Sequence, residues 1–375
     1  ASGSGQNTTT ENYKIFNDSV HGHIKMHPLL VEIIDTPEFQ RLRNIKQLGG
    51  GYFVFPGASH NRFEHSIGVA HLAGELVRSL RGSLKEKSVN SDDFKDELCV
   101  QIAGLCHDLG HGPFSHVFEV FMKEANVPWK HEEESVKMLE KLLERKTKNG
   151  NKTIKEIMNE DYGLGDGYIQ FIKELINTEG VSHSNDSQHP NKKIKSYLYE
   201  IVANKRTGID VDKMDYFSRD CHHLGMKSNF SHERYVMFAR VLTNQNKMEI
   251  CMRDKEALNM YELFHVRYLL HHNAYQHKVK VAVEMMIVDA LLAAEEDFKL
   301  KIAEGDNPEK GIKISEAAQK PEMLLKLTDE ILQQIKLKSE KAKGIVEKIE
   351  KRDFYRCVGS KIFQPNELED SVKQK

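Results

Sequence analysis

The sequence predicts an all-α protein with a few short peripheral strands. Leucine and isoleucine recur every three or four residues among Lys and Glu over residues 136–145 and 323–350, which is the period of an amphipathic helix. Residues 65–76 likewise place His65 and three aliphatic side chains on one helix face. Strand-like patterns are confined to two short stretches. With 375 residues, 39% of them hydrophobic, the chain can bury a large core in one domain or in two intertwined lobes.

The two strand predictions and the loop predictions rest on local composition. Residues 51–55 are a predicted short strand, and residues 248–252, which follow the turn-forming residues 243–246, are the predicted edge of a hairpin. Residues 1–12 are low in apolar content and are interpreted as disordered or as a linker. Predicted exposed loops lie at residues 82–95, 149–152 and 183–193.

Composition limits the partners and the compartment. The formal net charge of −2 gives no overall attraction to nucleic acid or membrane, and the lysine-rich residues 336–351 are typical of a solvated helix face, so nucleic acid is a weakly supported partner. No apolar stretch approaches the roughly 20 residues of a spanning helix, and no secretory segment opens the chain. Five cysteines without a CxxC pair indicate free thiols in a reducing compartment, which we expect to be the nucleus or the cytoplasm.

The run from Cys106 to His116 is the most informative part of the sequence. It places three imidazoles and one carboxylate among two glycines and a proline that end a helix. Neutral imidazole and carboxylate are ligands that together suit Zn, Mn, Fe or Ni. The pair His107-Asp108 is weak evidence by itself, because 19 His and 56 acidic residues make chance pairs common.

Two further segments are predicted to complete this site. His65 begins a helix whose apolar stripe faces the core, and Arg62 lies one turn earlier; a lone histidine there would more often be a core residue. In the second segment polar side chains share one helix stripe and apolar side chains lie opposite, which favours a helix lining a polar cavity over a solvated face. The polar stripe consists of Asp212, Asp215, Tyr216, Arg219, Asp220 and His223.

In order, His65, His107-Asp108 and Asp212 resemble the H…HD…D pattern of the HD-domain metal-dependent phosphohydrolases, an all-helical superfamily. The chain most resembles the deoxynucleoside triphosphate (dNTP) triphosphohydrolases that join a sterile-alpha-motif domain to an HD domain. This resemblance runs from about residue 13 to about residue 359. It implies an HD phosphohydrolase core over residues 13–295 and, over residues 296–375, a helical C-terminal extension that begins a truncated C-terminal lobe. The motifs that carry it lie at residues 17–23, 35–37, 47–51, 54–66 and 275–278.

The resemblance implies one divalent or transition metal, Fe, Mn or Zn, held by His65, His107, Asp108 and Asp212, with Mg on the nucleotide phosphates. An ion held by three or four protein ligands keeps open positions at which it can activate water and polarise a phosphoryl oxygen. Cationic and imidazole side chains are expected to neutralise the polyphosphate. These side chains are Arg62, His111, His116, Lys213 and Arg267.

Acid–base chemistry is predicted for His131, together with His111 and His116. The sequence alone leaves His131 equally open as the first residue of a helix, and it is the resemblance that places it in the catalytic set. Glu119 stands where the family more usually has Asp, so a proton relay through it would be longer by one methylene. Residues 117–130 are interpreted as a shortened loop.

The resemblance also implies the reaction, in which a dNTP is cleaved at the α-phosphorus to give a deoxynucleoside and inorganic triphosphate. Gln47 and Asp220 match positions that hold the sugar 3′-hydroxyl, whereas Leu48 and Tyr275 match positions that crowd the 2′ carbon. Tyr216 belongs to the same implied substrate set. Arg267, His271, Tyr275 and Lys278 share one predicted helix face, whose alternative interpretation is a surface helix.

Regulation by a guanine nucleotide and a dNTP, coupled to assembly of a homodimer or homotetramer, is a further implication. Each residue taken alone is equally typical of surface charge, but cations from separate segments would repel unless they converge on phosphates. The implied activator residues are Lys14, Ile15, Asn17, Asp35, Gln40 and Arg43 in one group, and Val54, Arg234, Arg253, Lys255, Asn259, His277, Lys278, Arg352 and Arg356 in the other.

Two other functions remain open on the sequence. The first is another HD phosphohydrolase, such as a 5′-nucleotidase, a guanosine tetraphosphate hydrolase or a cyclic-dinucleotide phosphodiesterase. The second is a non-catalytic module that binds nucleotides or nucleic acid. Release of inorganic triphosphate, release of monophosphate, and binding without turnover distinguish the three.

Overall fold

The computed structural model describes residues 13–84, 91–148, 150–178, 195–245, 247–301 and 311–359. Predictions for residues 1–12, 85–90, 149, 183–193 and 246 lie outside these ranges. The helices are α1 (Pro28–Ile34), α2 (Pro37–Gln40), α3 (Arg62–Ser83), α4 (Ser91–Cys106), α5 (His116–Glu124), α6 (His131–Leu143), α7 (Ile154–Glu160), α8 (Asp166–Ile176), α9 (Val211–Leu224), α10 (His232–Phe238), α11 (Ala257–Leu270), α12 (Lys278–Ala294), α13 (Ile314–Ala318), α14 (Pro321–Leu324), α15 (Ile331–Lys338) and α16 (Glu340–Glu350).

The described strands form two antiparallel hairpins, so the predicted all-α class with short peripheral strands is confirmed. β1 (Lys14–Asp18) pairs with β2 (Gly22–Met26), and β3 (Arg240–Asn244) pairs with β4 (Lys247–Cys251). The second hairpin was predicted, whereas the first was not. No helix in the described ranges is both long and apolar enough to cross a membrane.

The long helix α3 is the centre of the fold around the site. Asn61 and Glu64 form a capping box that satisfies backbone N–H groups at its first turn. His65, Val69, Leu72 and Leu76 are buried along one face, as predicted. This helix packs against α4 and α9. The three helices therefore bring the histidine of α3, the end of α4 and the start of α9 to one place.

The turn after α4 is held by close backbone contacts. A side chain at Gly110 would approach the His131 carbonyl oxygen and the Ser135 backbone nitrogen to 2.3 Å, so a glycine is needed for α6 to lie against the turn. Ser115, like the residue before it, has a φ of 59°, a left-handed conformation that costs energy in a non-glycine residue. The Asp329 carboxylate accepts a hydrogen bond of 2.6 Å from the Phe114 backbone N–H and supports this conformation.

Three predictions near the site were wrong in detail. Residues 49–53 form a 3₁₀ helix rather than a strand at 51–55, because Gly49 and Gly50 pack against Glu284 of α12. Residues 117–124 of the predicted loop 117–130 belong to α5, so only residues 125–130 connect α5 to α6. The helix expected to carry Arg267 through Lys278 ends at Leu270 and is followed by a π turn before α12 begins.

Two predictions further from the site also need correction. Residues 323–350 are divided among α14, α15 and α16, with Ser339 capping the last of them through a bond to the Ala342 N–H. Residues 91–95 of the predicted loop 82–95 belong to α4. The helix predicted at residues 136–145 is confirmed by α6, which starts earlier at His131.

Candidate metal centre and catalytic cavity

Four side chains predicted as metal ligands converge, and we call His65, His107, Asp108 and Asp212 the metal group. Asp212 Oδ1 lies 3.1 Å from His65 Nε2 and 3.4 Å from His107 Nε2. Asp108 oxygens lie 3.4 Å from each of the same two nitrogens. Both Nε2 atoms are buried and lack a hydrogen-bond partner among the described residues. Two unpartnered imidazole nitrogens facing two carboxylates fit a divalent ion.

The other ring nitrogens of the metal group are fixed. His65 Nδ1 lies 2.7 Å from Asp215 Oδ2, and His107 Nδ1 lies 2.8 Å from the Gly104 carbonyl oxygen. Because these oxygens only accept, each Nδ1 carries the proton and each Nε2 keeps its lone pair for a metal. Arg62 donates to Asp108 at 2.6 Å and to the Ser115 hydroxyl at 2.9 Å.

Asp215 is anchored in turn by a buried network. Arg219 donates to both of its oxygens at 2.9 Å, and His21 Nε2 lies 2.7 Å from Oδ1. Arg219 also pairs with Asp18 at 2.9 Å. Asp215 and Arg219 were predicted on the polar stripe but not in this role, and neither Asp18 nor His21 was predicted to lie in the site.

Nearby charges shift the pKa values of the metal group. Burial disfavours the charged imidazole of His65, but its hydrogen bonds to Asp212 and Asp215 and nearby carboxylate charges raise its pKa to about 10. Burial also opposes ionisation of Asp108, yet the Arg62 charge keeps the pKa of this carboxyl well below its usual range. The carboxylates that favour a charged imidazole at His65 also suit a bound cation.

A second set of ligating side chains, here called the Glu119 group, consists of His111, His116, Glu119 and His131. Glu119 bonds to His131 Nδ1 and lies 3.3 Å from His116 Nδ1. The His111 and His131 rings are stacked with centroids 4.0 Å apart. Burial would raise the pKa of Glu119, but the hydrogen bonds from His116 and His131 outweigh it and hold that pKa well below its usual range. Although Glu119 occupies a position where the resemblance implies Asp, its carboxylate contacts both His116 and His131.

Both groups border one cavity of about 910 Å³. Val120 of α5 and Met285, Val288 and Leu292 of α12 form an apolar side that the sequence did not reveal, because it depends on packing between distant segments. The predicted site residues that line the cavity are Gln47, Leu48, Arg62, His107, Asp108, His111, His116, His131, Asp212, Tyr216, Asp220 and Tyr275.

The end of the cavity predicted to hold the sugar is also ordered by hydrogen bonds. The Tyr275 hydroxyl donates to Asp220 Oδ2 at 2.5 Å, and His60 Nε2 lies 2.6 Å from Asp220 Oδ1. Gln47 Oε1 is buried without a hydrogen-bond partner in the described part of the chain, so it can accept one from a ligand. Leu48 is buried beside it. The sequence did not identify His60 as a residue that orients Asp220.

Two predicted phosphate-binding cations are not brought to the cavity wall. Lys213 Nζ is paired with Asp210 at 2.9 Å, which places the charge at the start of α9. Arg267 is exposed on α11 and does not line the cavity.

The implied activator residues form local surface groups. Arg43 donates to Gln40 at 2.8 Å and covers the Phe63 ring at 3.6 Å, while Asp35 pairs with Lys148. Arg234 and Arg253 both bind the buried carboxylate of Glu256. Three of the remaining residues lie on β1, namely Lys14, Ile15 and Asn17, and Val54 follows the 3₁₀ helix at residues 49–53. Lys255 lies in the 3₁₀ turn before α11, and Asn259 lies in α11. His277 caps α12, which begins at Lys278, and Arg352 and Arg356 follow α16.

Comparison with known proteins agrees with this geometry. Residues 62–220 match the HD domain family. The deoxynucleoside triphosphate triphosphohydrolase SAMHD1 of Homo sapiens is 51% identical over 357 residues, which cover 92% of this chain and 55% of that protein. The protein of the same name from Gallus gallus is 49% identical, over 97% of this chain and 59% of its own length.

A SAMHD1 homolog from Dictyostelium discoideum is 37% identical over 95% of this chain and 62% of its own length. The chain therefore spans less than two thirds of the length of these three relatives. An HD domain implies a divalent metal, and the metal group supplies suitable ligands. The chain therefore contains an HD domain, and over more than nine tenths of its length it is similar to the SAMHD1 deoxynucleoside triphosphate triphosphohydrolases.

Proposed function

We propose that this chain hydrolyses dNTPs to a deoxynucleoside and inorganic triphosphate. The observation that carries the proposal is one cavity lined by His107, Asp108 and Asp212 of the metal group, by the three histidines of the Glu119 group and by the ordered end around Asp220. The relatives that share its sequence are named for this activity. A polyphosphate needs positive charge and positioning, a leaving alkoxide needs a proton, and a deoxyribose needs a close-fitting pocket.

The metal group would hold one ion, for which we propose Fe, Mn or Zn because two imidazoles and two carboxylates suit these metals. When bound, the ion supplies a positive charge that activates water and offsets charge on a phosphate. Arg62 keeps Asp108 ionised and in place, and Asp215 sets the tautomer of His65. Mg is expected on the nucleotide phosphates.

The Glu119 group would move protons at the α-phosphate. His131 is the first residue of α6 and lines the cavity, and its Nδ1 is hydrogen-bonded to the Glu119 carboxylate. Its Nε2 then faces the leaving 5′ oxygen as a general acid, with His111 and His116 beside it. An imidazole is suited to this step because it titrates near neutral pH.

Selection of the sugar would come from the ordered end of the cavity. Asp220, fixed by Tyr275 and His60, and Gln47 would bind the 3′-hydroxyl. Leu48 and the Tyr275 ring would contact C2′, where an additional hydroxyl would lose water without gaining a partner. Tyr216 completes the wall on the side of α9.

Activation by GTP and a dNTP, through assembly of copies of the chain, is part of the proposal. Leu258, Tyr261, His265 and Tyr268 follow one another at spacings of three and four on α11 and are all exposed. An exposed apolar helix stripe at this spacing favours helix-on-helix packing with a second copy. Sedimentation velocity with and without GTP plus dATP tests it, because nucleotides that bind only the assembly shift the equilibrium. An unchanged mass in both, with activity unaffected by Asp35→Ala, would eliminate this regulation.

The reaction itself is tested by product analysis with dGTP, dGMP, guanosine tetraphosphate and a cyclic dinucleotide. We expect deoxyguanosine and inorganic triphosphate from dGTP, and no turnover of the other three. Monophosphate release would assign the chain to a different HD phosphohydrolase. Binding of dGTP without turnover in the metal-loaded protein would make it a binding module.

A further inference from the structure

The Glu119 group has the composition and spacing of a metal site in its own right. His111, His116, Glu119 and His131 each offer one ligand atom, and these atoms all lie within 4.8 Å of one another. Three imidazole nitrogens and one carboxylate oxygen are a ligand set that suits Zn²⁺. No residue of this group belongs to the metal group.

His111 supplies an independent sign that a ligand is missing. It is only 1% exposed, and its Nδ1 has no hydrogen-bond partner among the described residues, whereas its Nε2 lies 3.3 Å from Asp108 Oδ1. Buried imidazole nitrogens normally bond to protein, water or a metal, so leaving Nδ1 unsatisfied is costly. Its ring faces the other members, 4.0 Å from His131 and 5.0 Å from His116 between centroids.

The backbone holds the four residues in place before any ion arrives. His116 and Glu119 are three residues apart in the first turn of α5, so their side chains share one face. Gly110 lets the first turn of α6, with His131, lie against the turn that carries His111. In a tetrahedral site with bonds of about 2.0–2.1 Å, ligand atoms are roughly 3.3 Å apart. The 3.3 Å separation of His116 Nδ1 and Glu119 Oε2 already meets this value.

We propose that the Glu119 group is a second transition-metal site, which takes Zn²⁺ or a similar ion separately from the metal group. An ion bound there would occupy the imidazoles that the proposed function needs for proton transfer. Zinc in excess of the first site would therefore inhibit hydrolysis. Only this inhibitory consequence rests on the proposed function, because binding of the ion does not.

The test is a binding titration that needs no turnover. Metal-stripped protein is titrated with Zn²⁺ against a chromophoric chelator, and with Co²⁺ while its visible absorption is recorded. We expect two ions per chain in the wild type, and one in each of Asp212→Ala, Glu119→Gln and His131→Ala. Combining Asp212→Ala with Glu119→Gln should leave none. His23→Ala, which changes an exposed histidine outside both groups, should keep two.

Circular dichroism confirms that each variant is folded before its stoichiometry is compared. In Asp212→Ala, the remaining Co²⁺ should give the intense visible bands of a four-coordinate ion. One ion per chain in the wild type at saturating Zn²⁺, or two ions retained by both Glu119→Gln and His131→Ala, would overturn the proposal. Two ions bound by a protein that never hydrolyses dNTPs would leave this site standing and remove the proposed function instead.

Discussion

The two groups of ligating side chains in the cavity differ in how their surroundings hold them. In the metal group, His65, His107 and Asp108 each have a fixed partner behind them, and His65 is fully buried. In the Glu119 group, the carboxylate is shared by two histidines, and the His116 side chain is 67% exposed. The first arrangement favours a resident ion of fixed geometry, and the second favours groups that exchange protons.

The largest expected effect on activity follows from loss of the ion at the metal group. Asp212→Ala removes a carboxylate that faces both unpartnered imidazole nitrogens, so it should lower kcat/KM by roughly 10³-fold or more, since a catalytic metal contributes several kcal/mol. Elemental analysis should show less metal at the metal group. Asp166→Ala, which removes an exposed carboxylate on α8, is the matched control. Normal activity with full metal content in Asp212→Ala would refute the assignment.

The Glu119 group should show the opposite pattern, with activity lost and the resident metal kept. His131→Ala is expected to lower kcat by about 10²–10⁴-fold, the range of general acid–base catalysis. Metal content at the metal group and helical content should be unchanged. The exposed His272→Ala is the control. If kcat stayed within a factor of two, His131 would be a helix-terminal residue without a catalytic role.

A substitution at Tyr275 should change which sugar is accepted without an effect on the metal group or the Glu119 group. The wild type is expected to prefer dGTP over GTP as substrate by about 10²-fold, because an apolar contact rejects an additional hydroxyl only to that extent. Tyr275→Ala should reduce the preference, while Tyr275→Phe keeps the ring and should retain most of it. Competition assays with both nucleotides measure the ratio of kcat/KM. Equal turnover of GTP and dGTP by the wild type would contradict contact at C2′.

The fixed partner behind His65 should matter for metal affinity. Asp215→Asn is expected to weaken metal binding by about 10–100-fold, the usual cost of losing a carboxylate that orients a ligating histidine. Asp18→Asn also removes a carboxylate from Arg219 but does not touch His65, so it controls for the buried charge. Equal metal affinities in the two variants, measured by chelator competition, would show that Asp215 serves folding alone.

The last prediction concerns Asp329, which holds the backbone of Phe114 just before the Glu119 group. Burial raises the pKa of Asp329 to about 6, against hydrogen bonds from the backbone of Phe114 and Lys46. The folded protein therefore holds this proton more tightly than the unfolded chain, so the stability it contributes is present below pH ~4 and is lost as the pH rises through 6.

Relative to Asp329→Asn, the wild type should lose at most about 3 kcal/mol of unfolding free energy between pH 4 and pH 7. Urea denaturation of both proteins at several pH values in this interval measures the difference. Parallel curves for the two proteins would remove Asp329 as the titrating group.

The sequence predicted the parts of the site that follow local rules. Helix periodicity predicted His65 at the start of α3 and the polar stripe of α9. The positions of Gly and Pro predicted the turn after Cys106. The roles of His131 and Tyr275 were expected only from the resemblance.

What the sequence could not predict depends on contacts between distant segments. The glycines at 49–51 form a 3₁₀ helix because they pack on Glu284. Asp215 can orient His65 because His21 and Arg219 hold its carboxylate in place. Residues 323–350 divide where Asp329 bonds back to the Lys46 and Phe114 N–H groups. Periodicity carries no information on such polar contacts.

Hydrolysis of dGTP in ¹⁸O-labelled water, followed by mass spectrometry of all products, tests the central claim most directly. Attack of water on the α-phosphorus with loss of the 5′ oxygen places one labelled oxygen in inorganic triphosphate and leaves deoxyguanosine unlabelled. This is the result we predict for the metal-loaded protein. Label in deoxyguanosine, or the appearance of labelled dGMP, would contradict the proposed reaction.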